Sequence, residues 1–171
     1  MKKLVLILAF LTLPLSSYAQ DAFYLSGMLG LTSIDVDNST LDFDTELSYG
    51  FRAGLLFNDH VSAGLFVNRY ATEVSSVDLS ALNIMAEVTY YFSEADENTF
   101  WLSGLLGTTQ FKIESPLQST NDSETSYGFS AGYHFMVAPN FSLSPQLTYI
   151  LINAEDSAAS TSAMVNLTFW L

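Results

Sequence analysis

The sequence contains no cysteine. Disulfides cannot staple it, although small exported soluble domains often depend on them. A lipid-modified N-terminal cysteine is ruled out as well. Positive charge is scarce: five Lys and Arg stand against 18 Asp and Glu, for a net charge of −13. So acidic a chain has no basic patch to neutralise phosphates, which argues against nucleic acid as a partner. Long apolar runs are missing too. The run Leu4–Leu13 is too short for a spanning helix, which needs about 20 apolar residues. No nucleophile elbow, phosphate loop or close-spaced set of metal ligands occurs, so neither a metal nor a cofactor is expected.

What is present begins with an export signal. Lys2 and Lys3 precede the apolar run, and Ser17-Tyr18-Ala19 supplies small residues at −3 and −1. Cleavage is expected after Ala19, leaving residues 20–171 as one domain. Two cations leave with the signal, so the mature chain keeps Arg52, Arg69 and Lys112. It is 49% hydrophobic and 14% aromatic, too apolar for a disordered acidic tail.

The apolar residues alternate. In Ser48–Phe57, Tyr49, Phe51, Ala53, Leu55 and Phe57 form one row, and Ser48, Gly50, Arg52 and Gly54 form the other. Period two is a strand with one greasy and one polar face. The stretch returns 78 residues later as Ser126–Phe135. Phe23-Tyr-Leu-Ser-Gly returns as Phe100-Trp-Leu-Ser-Gly, and Val88-Thr-Tyr-Tyr-Phe as Leu167-Thr-Phe-Trp-Leu. The last four strands thus repeat the first four.

Strands are predicted over Phe23–Ile34, Leu47–Phe57, Val61–Tyr70, Leu82–Phe92, Phe100–Phe111, Thr125–Val137, Phe141–Ile152 and Thr161–Leu171. Short turns follow the second, fourth and sixth. Long polar loops follow the first, third, fifth and seventh, with Ala71–Ala81 and Lys112–Glu124 among them. This is an all-β, eight-stranded antiparallel up-and-down transmembrane β-barrel. A soluble lipocalin-like barrel would turn its apolar side inward. Here the face of Gly, Ser, Thr, Asn, Arg and Glu must point inward, because the apolar face is too large to leave wet. Closure satisfies every backbone group, which lipid demands.

The chain resembles the small eight-stranded outer-membrane barrels of the OmpA and OmpX type. The resemblance covers residues 20–171 and rests on architecture and on the last strand. It implies a location in the Gram-negative outer membrane, lipid and lipopolysaccharide as surroundings, and the barrel-assembly machinery as a partner during biogenesis. The family's assembly signal is an aromatic two residues before a terminal Phe. Phe169 matches the aromatic, and Leu171 departs from the Phe. With the last strand ending at Leu171, a peptidoglycan-binding domain like that of some relatives is not expected. A monomer is expected.

Arg52 and Glu87 are the charges on the inward rows. Each lies five residues before an aromatic at the short-turn end, so an ion pair is predicted, with Gly64 between them. The resemblance adds weight, since the family's lumens often hold such pairs. Tyr24, Tyr91, Trp101 and Trp170 face inward near the same end. Tyr24 should approach Trp170, and Tyr91 should approach Trp101, to plug the mouth. An eight-stranded interior is wide enough only for side chains, which argues against a solute porin. Outward aromatics at the strand ends look like interfacial girdles. His134 is expected to hydrogen-bond with Ser142 or Ser144. Pro145, on the outward row of a strand with no free edge, predicts a bulge or a missing ladder bond. Acids crowd the long loops, and Asp35-Val-Asp-Asn-Ser lacks the full spacing of a calcium loop. The function expected is non-catalytic: envelope structure or surface interaction through acidic extracellular loops. The alternatives are a narrow ion-conducting pore and an enzyme that modifies outer-membrane lipids.

Overall fold

Eight strands follow one another around a closed ring: β1 (Phe23–Val36), β2 (Glu46–Asn58), β3 (Val61–Val74), β4 (Val77–Tyr91), β5 (Thr99–Ser115), β6 (Gln118–Ala138), β7 (Phe141–Ile152) and β8 (Ala158–Trp170). The structure is a computed structural model and describes residues 23–36, 45–74, 77–115, 118–153 and 158–171. The expected export signal, residues 1–19, lies outside the described residues. So do Asp37, Asp42, Asp44, Glu155 and Asp156 of the acidic loops. All neighbouring strands are antiparallel, and β1 pairs with β8 to close the ring. The backbone N–H of Leu171 donates to the carbonyl of Phe23 at 2.8 Å, which ties the last residue into the seam.

Side chains divide as the period-two pattern requires. Leu106, Leu147, Phe100 and Phe169 are among many large apolar residues on the outer surface. Ser26, Asn68, Glu87, Thr109 and Asn166 are buried within. Such an exterior is stable only against hydrocarbon, and the closed ladder leaves no strand edge to meet it. Outward rings gather near the short turns: Phe100 packs on Tyr133 at 4.6 Å between centroids, and Phe141 on Phe169 at 4.9 Å.

The long-loop end differs from the reading of the sequence. Ala71–Ala81 and Lys112–Glu124 were expected as polar loops. Instead, β3 and β4 stay paired to Val74–Val77, and β5 and β6 to Ser115–Gln118. β4 and β5 remain paired up to Asp78–Glu114. Apolar alternation in the sequence ends there while the backbone ladder continues. The result is a four-stranded wall rising above one side of the barrel.

Both copies of the repeated strand bulge just before their short turn, at Leu56/Asn58 and at Met136/Ala138. Pro145 causes no bulge. Its partners on β8 are in register. On the β6 side, pairing is interrupted between Gly132–Gln146 and Phe135–Leu143 and resumes unshifted. The missing ladder bond is the outcome, since proline has no N–H to donate.

Candidate functional site

The lumen is filled in three tiers. The middle tier is built on Arg52 of β2 and Glu87 of β4. The Nε–H of Arg52 donates to Oε2 of Glu87 at 2.8 Å, and Nη2 bonds Oε1. β3 runs between them, and Gly64 there stands opposite both Gly54 and Glu87. A Cβ on Gly64 would meet the Ala53 carbonyl oxygen at 2.2 Å, so no side chain fits at that position. Removing a charge from water costs several kcal/mol unless the partner geometry and further hydrogen bonds compensate. Both are present. Nη1 of Arg52 donates to Oε1 of Gln146 at 3.0 Å, and Nη2 to Oγ of Ser103 at 3.2 Å. The same Gln146 oxygen accepts from Nδ2 of Asn166 at 2.8 Å. The guanidinium also lies 4.6 Å from the centroid of Trp101, within cation–π range.

Gln146, Ser103 and Asn166 were not singled out from the sequence. Ser103 shares its hydroxyl with Thr89 of the adjacent strand at 3.0 Å, a contact that register supplies. Gln146 lies across the lumen from Arg52, where register between neighbours says nothing. Its one legible sign is a long amide in an inward row of hydroxyls.

The tier nearest the short turns is aromatic. Tyr24 and Trp170 approach with ring centroids 5.5 Å apart. Tyr91 and Trp101 stand opposite each other in the ladder and pack in one apolar cluster with Ala95. The rings facing Tyr91 are those of His134 at 6.2 Å and Trp170 at 6.4 Å. The indole of Trp101 is drawn up beneath Arg52. Ala95, in the turn after β4, is 1% exposed, and its N–H donates to Asp59. That turn folds across the mouth. His134 shares a hydrogen bond with Ser144, Nδ1 to Oγ at 3.0 Å. The cavity between Arg52, His134, Ser144, Asn166 and Trp170 measures about 10 Å³, room for a single water.

The third tier, towards the long hairpins, is apolar. Met28, Phe66, Met85, Leu105, Ile150 and Met164 form one buried cluster inside the barrel. The inward rows are therefore not uniformly polar, as the alternation implied. Glycines make the room. A Cβ on Gly30 would lie 2.7 Å from Cγ of Met164, and one on Gly50 would lie 2.9 Å from Cε of Met28. Hydroxyl pairs fill between: Thr32 with Ser162 and Thr109 with Ser126, each at 2.7 Å, and Ser130 with Thr148 at 2.8 Å.

At the seam, Phe169 points outward and is 55% exposed, and Leu171 is 76% exposed. Both stand clear of the lumen at the short-turn rim. Among the described residues no group of three or more His, Cys, Asp or Glu is placed to hold a metal ion.

Similarity to known proteins agrees with this geometry. No curated protein sequence matches the chain. Neisserial surface protein A superposes with a TM-score of 0.75 at 18% identity, covering 86% of this chain and 97% of that one. Ail, the attachment invasion locus protein of Yersinia pestis, gives 0.62 at 16% identity, covering 88% and 99%. OprG, an outer membrane protein of Pseudomonas aeruginosa, gives 0.51 at 14% identity, covering 90% and 96%. The sequence model of the outer membrane protein beta-barrel domain family matches residues 4–169, and the chain belongs to that family.

Proposed function

We propose that the protein is a closed, non-catalytic barrel that acts from its surface, in envelope structure or in attachment, once the export signal has been cut after Ala19. The short turns face the periplasm and the long hairpins the exterior. The observation that carries this reading is the contrast between wall and lumen: an apolar exterior around an interior closed at three levels. A pore needs a continuous wet path, and Phe66 and Met85 are fully buried across it. The Arg52–Glu87 pair is then structural, and the rings of Tyr24, Tyr91, Trp101 and Trp170 are a plug. A lipid-modifying enzyme would need an acid beside His134 and Ser144. Glu87 is bonded instead to Arg52.

The fold is shared with an attachment invasion locus protein, which makes surface attachment the role to test first. Cells lacking the protein should lose adhesion or gain detergent sensitivity. If they do neither, the surface role is wrong. Planar-bilayer recording separates the pore: large, steady conductance would overturn the closed-lumen reading.

A further inference from the structure

After the signal, the cations are Arg52, Arg69 and Lys112. Arg52 is committed to the lumen. The other two come together on the outer wall. Arg69 pairs across the ladder with Leu82, Leu82 with Gln110, and Gln110 with Ser123. Two ladder pairs higher, on the same face, Ser80 pairs with Lys112 and Lys112 with Asn121. Arg69, Gln110, Lys112 and Asn121 are all exposed. Between them lies a groove of about 790 Å³, the size of a small-ligand site.

Its height follows from its neighbours. Below the Arg69 rung stand Val67 and Ile84, and below these Leu65 and Leu106, the upper part of the apolar band. Two ladder pairs above Ser80–Lys112 the backbone partners are residues 78 and 114, near the top of the described wall. The groove therefore lies where hydrocarbon gives way to headgroups. Among the described residues, Asp122 is the one carboxylate that borders it. By strand alternation Asp122 belongs to the opposite face, and its Oδ1 accepts the N–H of Ser123 at 2.8 Å. Lys112 also has a contact within the protein, so Arg69 is the principal ligand and Lys112 adds to the field. A planar guanidinium matches phosphate oxygens in pairs.

We propose that a phosphate of an outer-leaflet glycolipid docks on the outer wall between Arg69 and Lys112. The proposal rests on the membrane placement given above. The site offsets the chain's general repulsion of anionic lipid at one place, on the side where the four-stranded wall rises.

The test uses the folded protein in phosphatidylcholine nanodiscs doped with diphosphorylated lipid A, with retained lipid read by native mass spectrometry. Two exposed cations contribute about 1 kcal/mol each near a charged lipid surface, so Arg69→Gln with Lys112→Gln should lower retention at least about tenfold. Arg69→Lys keeps the charge but loses the paired geometry, so it should retain less than the native protein and more than the double variant, and fully dephosphorylated lipid A should not distinguish the variants. Both positions are exposed, and a gel shift of unboiled protein checks folding. Equal retention by the native protein and the double variant overturns the site. Equally tight, Arg69-dependent retention of phosphatidylglycerol overturns the glycolipid as its ligand. A native chain that stays out of nanodiscs, compact in plain buffer, instead overturns the membrane placement itself.

Discussion

Gly132 of β6 faces Trp101 of β5, and the indole occupies the space that a side chain at 132 would need. A Cβ there would lie 2.6 Å from Cζ2 of Trp101 and 2.6 Å from the carbonyl oxygen of Pro145. The first half repeats the arrangement. A Cβ on Gly54 would lie 2.7 Å from Oη of Tyr24. Each copy of the repeated strand thus carries a glycine that seats an aromatic from its neighbour. Gly132→Ala should destabilise the barrel by about 1–3 kcal/mol, the usual cost of overpacking. Gly104→Ala on the same β5 is the control. Nothing lies within 4 Å of its Cβ position, so its effect should stay within about 0.5 kcal/mol. Denaturant unfolding in lipid vesicles reads both.

Breaking one side of the lumen ion pair leaves a buried charge behind. Arg52→Met or Glu87→Met alone should cost about 3–5 kcal/mol. The double substitution should cost less than the sum of the two, because neither charge is then stranded. A double-mutant cycle with zero coupling would remove the pair from the list of stabilising contacts.

Loss of that pair should not open the barrel. The aromatic tier and the Met28–Phe66–Met85 cluster close the lumen independently of it. The Arg52→Met, Glu87→Met variant should show no more conductance across a planar bilayer than the native protein. A stable open level in the variant would mean that the charged tier is the sole barrier.

Orientation is tested on the wall. Leu147 is 63% exposed on the outward row of β7. Leu147→Arg should cost up to about 2–4 kcal/mol if the residue meets the bilayer midplane. Asn121→Arg, outside the apolar band, should cost little. Equal tolerance at both sites in vesicles would contradict a lipid-facing exterior.

The last strand carries the proposed assembly signal. Phe169→Ala should slow insertion by the assembly machinery, and Leu171→Phe should speed it, as read by the appearance of the gel-shifted form. Insertion rates indifferent to both would place the signal elsewhere.

Most of the barrel was legible because lipid imposes period two on every strand it touches. Strand number follows from that period, order from the alternating short and long connections, and facing from the size of the apolar face. The hydrocarbon boundary was also where reading stopped. Thr72–Val74 and Ile113–Ser115 continue their strands without alternation to mark them. Inside, Arg52 and Glu87 could be set at one depth by counting residues back from the short turns. Gln146 could not, because it meets Arg52 across the lumen, through strand tilt and barrel shear. Met28, Phe66 and Met85 were hidden among glycines and hydroxyls, since an inward row was read by its majority. Trp101 lies buried beside Arg52, and the pull of a guanidinium on an indole is not written in periodicity.

The raised strands of β3–β6 have a mechanical consequence. About four ladder pairs above the Tyr70–Ala81 rung lift the β3–β4 tip by roughly 14 Å along the strand direction. Hydrogen-bonded backbone resists bending, so the paired strands up to Val74–Val77 and Ser115–Gln118 form a stiff post fixed to one flank. A molecule gripping them would sense the tilt of the whole barrel, and a pull on that flank would load the bilayer off-centre.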